Sequence, residues 1–340
     1  MARLIKNLSP VGPVLLGPVA ADAARRLKTC QGRFELVLGA EDLPKNWPPE
    51  SRGDCVAIAK LIAAYLGNDV NVEGLPAQLQ IVFSLCQTGQ LTADAQAFEH
   101  ELDVSVAEAR NRPAYLIRID LKIVDEVRQV AGATLASIGA TQLQALFGGG
   151  SSIDMPALTM HITWMALMLV FLHEYSHCIR CHLAPGRAAR IARAALPADA
   201  NIDLVEELDA DLIANTALAV LLQSFSRSLP ADINHNQRQF AVASMACRTM
   251  FAALSRYAKP AIGQTHPARP ARIYWCVRDA ASRFEIDDAS VRAFFALVDC
   301  RLGFDEQLIA QEEQRQAQAW KHWKELRDSA FFSSCFSPTS

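Results

Sequence analysis

Phe171-Leu172-His173-Glu174-Tyr175-Ser176-His177-Cys178-Ile179 closes a strongly apolar run, Met165-Ala166-Leu167-Met168-Leu169-Val170-Phe171-Leu172. The run predicts a helix. In a helix, His173 and His177 stand at i and i+4, one above the other on the same face. Two imidazoles so placed can bind one Zn²⁺. Glu174, one residue along, can reach a metal-bound water as general base.

The apolar stretch is membrane-length if counted from Met155 to Leu172, but it carries Pro156, Thr159, His161 and Thr163 and runs straight into the candidate ligands. A buried core helix is the expectation, rather than a membrane span. The N-terminal residues, with prolines at 10, 13 and 18, lack the uninterrupted apolar core of a signal peptide.

The chain has 340 residues, 51% apolar and 20% charged, which is a globular composition with enough length for a substantial core. A net charge of −3 gives no global electrostatic case for nucleic acid. Nine cysteines, odd in number and scattered, favour reduced buried thiols in a cytoplasm-like compartment over a disulfide framework.

Around the central helix the pattern predicts an α+β fold, predominantly helical, with a small sheet. Strands are expected at 33–38 and 115–121, and helices at 55–66, 75–85, 93–109 and 124–147. Gly148-Gly149-Gly150-Ser151-Ser152 reads as a linker, or as a mobile edge beside a cleft. It is the expected boundary between an N-terminal region, 1–150, and a helical catalytic region, 151–340. Further helices are expected at 204–225, 237–257, from His266-Pro267 to 284, at 288–302 and at 305–327. Arg187, Arg190 and Arg193 form a basic stripe that reads as a solvated helix face. Trp320 and Trp323 in the last helix suit inward packing better than a partner-binding face.

A catalytic zinc wants three protein ligands and one open position. The segment Glu206-Glu207-Leu208-Asp209-Ala210-Asp211 offers the third ligand on a separate helix. HExxH followed by a helix carrying Glu-x-x-Ala-Asp resembles the gluzincin metallopeptidases. It is most similar to the group containing the CAAX prenyl endopeptidase and the heat-shock membrane peptidase. The resemblance implies that Glu207 is the third zinc ligand. It also implies that Asp211 accepts a hydrogen bond from the non-ligating nitrogen of a zinc histidine. Members of that group often carry Ser/Thr-His-Pro with an Arg six residues after the His. Here Thr265-His266-Pro267 is followed by Arg272. By resemblance, His266 and Arg272 lie near the cleft, with His266 either an oxyanion donor or a resting-state zinc ligand.

The resemblance covers Leu172 to about Ile273. Familiar members of the group are flanked by membrane spans, and none is expected here. Soluble relatives in the wider clan include phage-exclusion (Lit-type) peptidases. The reading is a zinc-dependent endopeptidase acting on a protein or peptide, with Zn²⁺ as cofactor and neither nucleic acid nor a stable membrane span as partner. The alternatives are a degenerate zincin core used for binding or regulation, and a membrane-associated peptidase. A separate structural zinc or redox site could use Cys178, Cys181 and His182. A core helix whose His173 and Glu174 merely pair with Arg180 or Asp211 is the plain structural reading.

Overall fold

The computed structural model describes residues 14–15, 35–37, 45–67, 80–87, 93–97, 114–147, 153–179, 202–226, 235–255 and 267–298, with positions 307, 309–311, 314, 317 and 321. Among these residues helix predominates. The chain forms two compact units. One comprises Met1–Asp125, His177–Ile191 and Ser329–Ser340, and the other Glu126–Ser176 and Ala192–Asp328. The segment expected as a linker, 148–152, lies outside the described residues, as do the basic stripe and both C-terminal tryptophans.

The first unit carries the sheet: β1 (Val14–Leu15), β2 (Glu35–Val37), β3 (Gln80–Gln87), β4 (Ala93–Ala97) and β5 (Ala114–Asp120). β3 and β5 pair in parallel, β4 covers the far side of β5 antiparallel, and β1 and β2 pair antiparallel with successive stretches of β3. Phe83 and Leu85 lie opposite Ile117 and Ile119, and all four are fully buried. Spaced by two on paired strands, these four side chains share one face of the sheet, which is turned into the core.

Two expectations are corrected here. Residues 80–85, read as part of a helix, are strand β3, and 93–97, read as the start of another, are strand β4. A short apolar run such as Ile81-Val82-Phe83 suits a buried strand as well as a helix, and its pairing with β5 decides. Ala93-Asp94-Ala95-Gln96-Ala97 has helical propensity, which the ladder with β5 overrides.

α1 (Pro49–Gly67) buries Cys55, Ile58, Ala59 and Ile62, an i, i+3, i+4, i+7 stripe. Burial, reinforced by Asp54 and Asp125, pushes the Cys55 thiol up to about 12, so it sits as an inert neutral thiol. Asp120 ends β5 and starts α2 (Leu121–Ser137): its carboxylate accepts from Lys122 N at 2.8 Å, an N-cap.

α2 continues into the second unit. It is followed by α3 (Ala140–Phe147), α4 (Met155–Ile179), α5 (Ile202–Ser226), α6 (His235–Ser255), α7 (Arg269–Arg283) and α8 (Asp288–Val298). The expected helix 124–147 is thus two helices, bent by 107° at Ile138-Gly139. Gly139 begins the second, its N–H held by Gln142 Oε1 at 3.0 Å. At the other end of α3, Arg238 Nε donates to the Phe147 carbonyl at 3.0 Å and satisfies a terminal acceptor.

α6 is buried on every side from Gln239 to Phe251, as a central helix must be, and packs against α3, α5 and α7. α4 starts at Asp154, which caps Ala157 N at 3.0 Å, with Pro156 tolerated in the first turn. By length and composition α4 qualifies as a membrane span, yet 56% of its most apolar window is buried within the protein, Met165–Leu172 without a break.

α7 ends in a Schellman turn. Ile286 N donates to Ala281 O at 2.8 Å, and Glu285 takes the left-handed conformation at φ 56°. Glycine adopts this geometry without the Cβ penalty. Glu285→Gly is therefore expected to raise stability by about 0.5–1 kcal/mol, read as an increase in the urea midpoint at constant m.

Candidate metal centre

α4 ends its buried run at Leu172 and delivers His173 and Glu174, both half-buried, and His177, buried, onto its last two turns. His177 follows His173 by four residues of continuous helix, so the helix itself sets their stacking. α5 brings Glu207 and Asp211 to the same place, again at i and i+4 on one face. One donor atom from each of His173, His177 and Glu207 lies within 4.8 Å of the other two, the one such His/Cys/Asp/Glu group among the described residues.

The arrangement around His173 is specific. Its Nε2 lies 3.5 Å from Glu207 Oε2, and its Nδ1 lies 2.9 Å from Asp211 Oδ1. One carboxylate thus stands close to each ring nitrogen of His173, although the approach at Nδ1 lacks the alignment of a hydrogen bond. In a tetrahedral site with ligand bonds of about 2.0–2.1 Å, neighbouring ligand atoms are about 3.3 Å apart. The His173–Glu207 separation already matches, and His177 offers a third donor within 4.8 Å of both. Two imidazole nitrogens and one carboxylate oxygen are also a donor set used by catalytic zinc. The residues present thus fit the metal that the sequence implied.

Arg272, on the first turn of α7, completes the group. Its Nε donates to Asp211 Oδ2 and its Nη2 to Asp211 Oδ1, both at 2.6 Å, and Nη2 also reaches Glu207 Oε2 at 3.2 Å. A bidentate guanidinium–carboxylate pair is among the strongest side-chain contacts. Phe251 of α6 lies under the guanidinium, 4.5 Å from ring centroid to Cζ, and adds a cation–π contact. Asp211 is only 2% exposed and Arg272 11%.

The electrostatics follow from burial against charge. Burial would raise the Asp211 carboxyl, but Arg272 and His173 outweigh it and hold the group below its usual range. Burial would lower His173, but hydrogen bonds and charge from Asp211 and Glu207 push it up to about 10. Arg272 is raised by Asp211 and stays charged.

The structure brings together five of the seven residues expected at the site: His173, His177, Glu207, Asp211 and Arg272. Glu174 stands beside them on α4, half-buried. His266 lies outside the described residues, although Pro267 next to it is buried. Of the alternative Cys-x-x-Cys-His set, Cys178 is a buried thiol outside any disulfide, and Cys181 and His182 lie outside the described residues.

Sequence reasoning missed two neighbours. Phe251 gives no signal in sequence beyond an apolar position on α6. Asn215 follows Asp211 by four residues and so shares its face, a spacing that could have found it. Its Nδ2 donates to Cys276 O at 3.1 Å and to Asp279 Oδ2 at 2.7 Å on α7. No family model, curated protein or solved structure matches the chain.

Proposed function

We propose that the chain is a zinc-dependent endopeptidase with a zincin-like core, His173, His177 and Glu207 holding the metal. The observation that carries the reading is the convergence on His173 of Glu207 at Nε2 and Asp211 at Nδ1. A merely structural histidine needs one partner. This one has a carboxylate near each nitrogen and a second histidine close by.

Bound there, Zn²⁺ would supply Lewis acidity to a scissile carbonyl and lower the pKa of an attacking water. The chain's own groups do the rest. Asp211 fixes the ring orientation of His173, and Arg272 fixes Asp211. Glu174, adjacent to His173, accepts the water's proton and returns it to the departing amine. His266 is the proposed donor to the developing oxyanion, carried over from the resemblance. Buried thiols at Cys55, Cys178, Cys247 and Cys276 suit a reducing, cytoplasmic compartment. A protein or peptide is the proposed substrate.

The test is metal content. Purified protein dialysed against zinc is expected to retain about one equivalent per chain, and His173→Ala to retain less than about a tenth of that. Equal zinc in both proteins, measured by atomic emission, would sink the reading.

A further inference from the structure

The polar contacts on α5 do not stop at Asp211. Asn215, one turn further on, is 1% exposed, and its amide reaches across to α7. There it bonds the main-chain carbonyl of Cys276 and the carboxylate of Asp279, which is itself held by Arg283 Nε at 2.7 Å. The contacts advance in step. Asp211 meets Arg272, and Asn215 meets Cys276, so each helix has moved four residues, about 6 Å.

Two anchor points one turn apart define the register of two helices, because sliding either helix by a turn breaks both. The second anchor reads the backbone of α7 itself, since one acceptor is a helix carbonyl. Asn215 is also an uneconomical choice for packing alone. Its Oδ1 is buried with no partner among the described residues, a cost that leucine at the same place would not carry. A buried polar group kept despite that cost suits a role in fixing one arrangement.

We propose that Asn215 is a positioning residue for the metal centre: its amide locks the register of α5 against α7 and so sets Arg272 against Asp211 and Glu207. The proposal rests on the metal reading above, and it adds a determinant two turns away from the ligand Glu207. The hydrogen bonds of Asn215 go to Cys276 and Asp279 rather than to His173, His177 or Glu207, so its effect passes through the α5–α7 register.

The experiment uses the full chain. Zinc affinity is measured by competition with a chromophoric chelator, and Co²⁺-substituted protein gives an absorption spectrum that reports coordination geometry. Wild type, His173→Ala, Asn215→Leu, Asn215→Asp and the reversed pair Asn215→Asp/Asp279→Asn are compared.

Asn215→Leu is expected to keep its thermal midpoint while zinc binding weakens about tenfold and the Co²⁺ bands shift. The reversed pair lets residue 279 donate to residue 215, while its amide oxygen still accepts from Arg283, but residue 215 no longer donates to the Cys276 carbonyl. It is expected to recover part of the zinc affinity that Asn215→Asp alone loses, by at least about threefold.

Wild-type affinity and an unchanged Co²⁺ spectrum in Asn215→Leu overturn the proposal and leave the metal reading standing. A wild type that binds no zinc, or binds it no better than His173→Ala, overturns both. Should Asn215→Leu fail to fold, Asn215→Asp and the reversed pair decide. Equal zinc affinity in those two means the 215–279 bond does not set the site.

Discussion

Glu174→Gln is expected to slow peptide-bond hydrolysis by about 10²–10⁴-fold while zinc stays bound near one equivalent per chain. Glutamine keeps the volume and the polar head but cannot accept a proton. Glu174 is half-buried on the last turns of α4, next to His173 in sequence and about 100° round the helix from it. Its carboxylate can therefore stand beside the metal position without spending itself as a ligand, the separation of roles the proposed mechanism needs. Proton transfer to a positioned carboxylate lowers such a barrier by about 3–5 kcal/mol.

The comparison needs equal zinc loading in both proteins and a broad protein substrate, followed by peptide end-group analysis. Loss of zinc together with activity would place Glu174 among the ligands instead. Unchanged turnover at equal zinc would remove the general-base assignment altogether.

The site was legible in sequence to the extent that helix periodicity carried it. Spacings of four residues, His173 to His177 and Glu207 to Asp211, fix which side chains share a face, whatever the tertiary arrangement. Nothing local, however, says which face of α5 meets α4, or that Arg272 clasps Asp211. Those facts belong to the packing of separate helices. The resemblance, rather than periodicity, supplied the expected places of Arg272 and Asp211, and in the structure the two side chains pair at 2.6 Å.

Asn215 shows the remaining gap. Its position on the Glu207–Asp211 face was readable, but its partners, a carbonyl on α7 and Asp279, depend on helix register. The two misread strands fail for the opposite reason. Phe83 and Leu85 alternate correctly for a strand, but six or seven apolar residues fit either period, and only the ladder to β5 resolves them. Side-chain spacing along a helix is local and strand pairing is not, so the shared faces of α4 and α5 were readable where β3 and β4 were not.

Arg272→Met is expected to destabilise the protein by about 3–5 kcal/mol, a larger effect than any ligand substitution made in metal-free protein. The reason lies in what the change leaves behind. Asp211 is 2% exposed and receives two guanidinium bonds at 2.6 Å, so removing the arginine strands a buried carboxylate with His173 beside it. Methionine fills much of the volume and keeps the contact with Phe251 apolar, which isolates the charge effect.

Neutralising the carboxylate as well should relieve most of the penalty. Asp211→Asn/Arg272→Met is expected to be more stable than Arg272→Met alone by at least about 1 kcal/mol, since the uncompensated charge is gone. Urea unfolding in excess chelator keeps zinc linkage out of the comparison, and a shared m-value licenses subtraction of the midpoints. An Arg272→Met protein within about 0.5 kcal/mol of wild type would show that solvent, not Arg272, compensates Asp211.

The sign of the pH dependence gives a second check on the same pair. The Asp211 carboxyl is held below its ordinary value of 3.8 in the folded chain, so its contribution is present above that pH and is lost as pH falls through the folded value. With chelator present, Arg272→Met should therefore lose less stability than wild type on acidification from pH 5, because the contribution that acid removes is already missing.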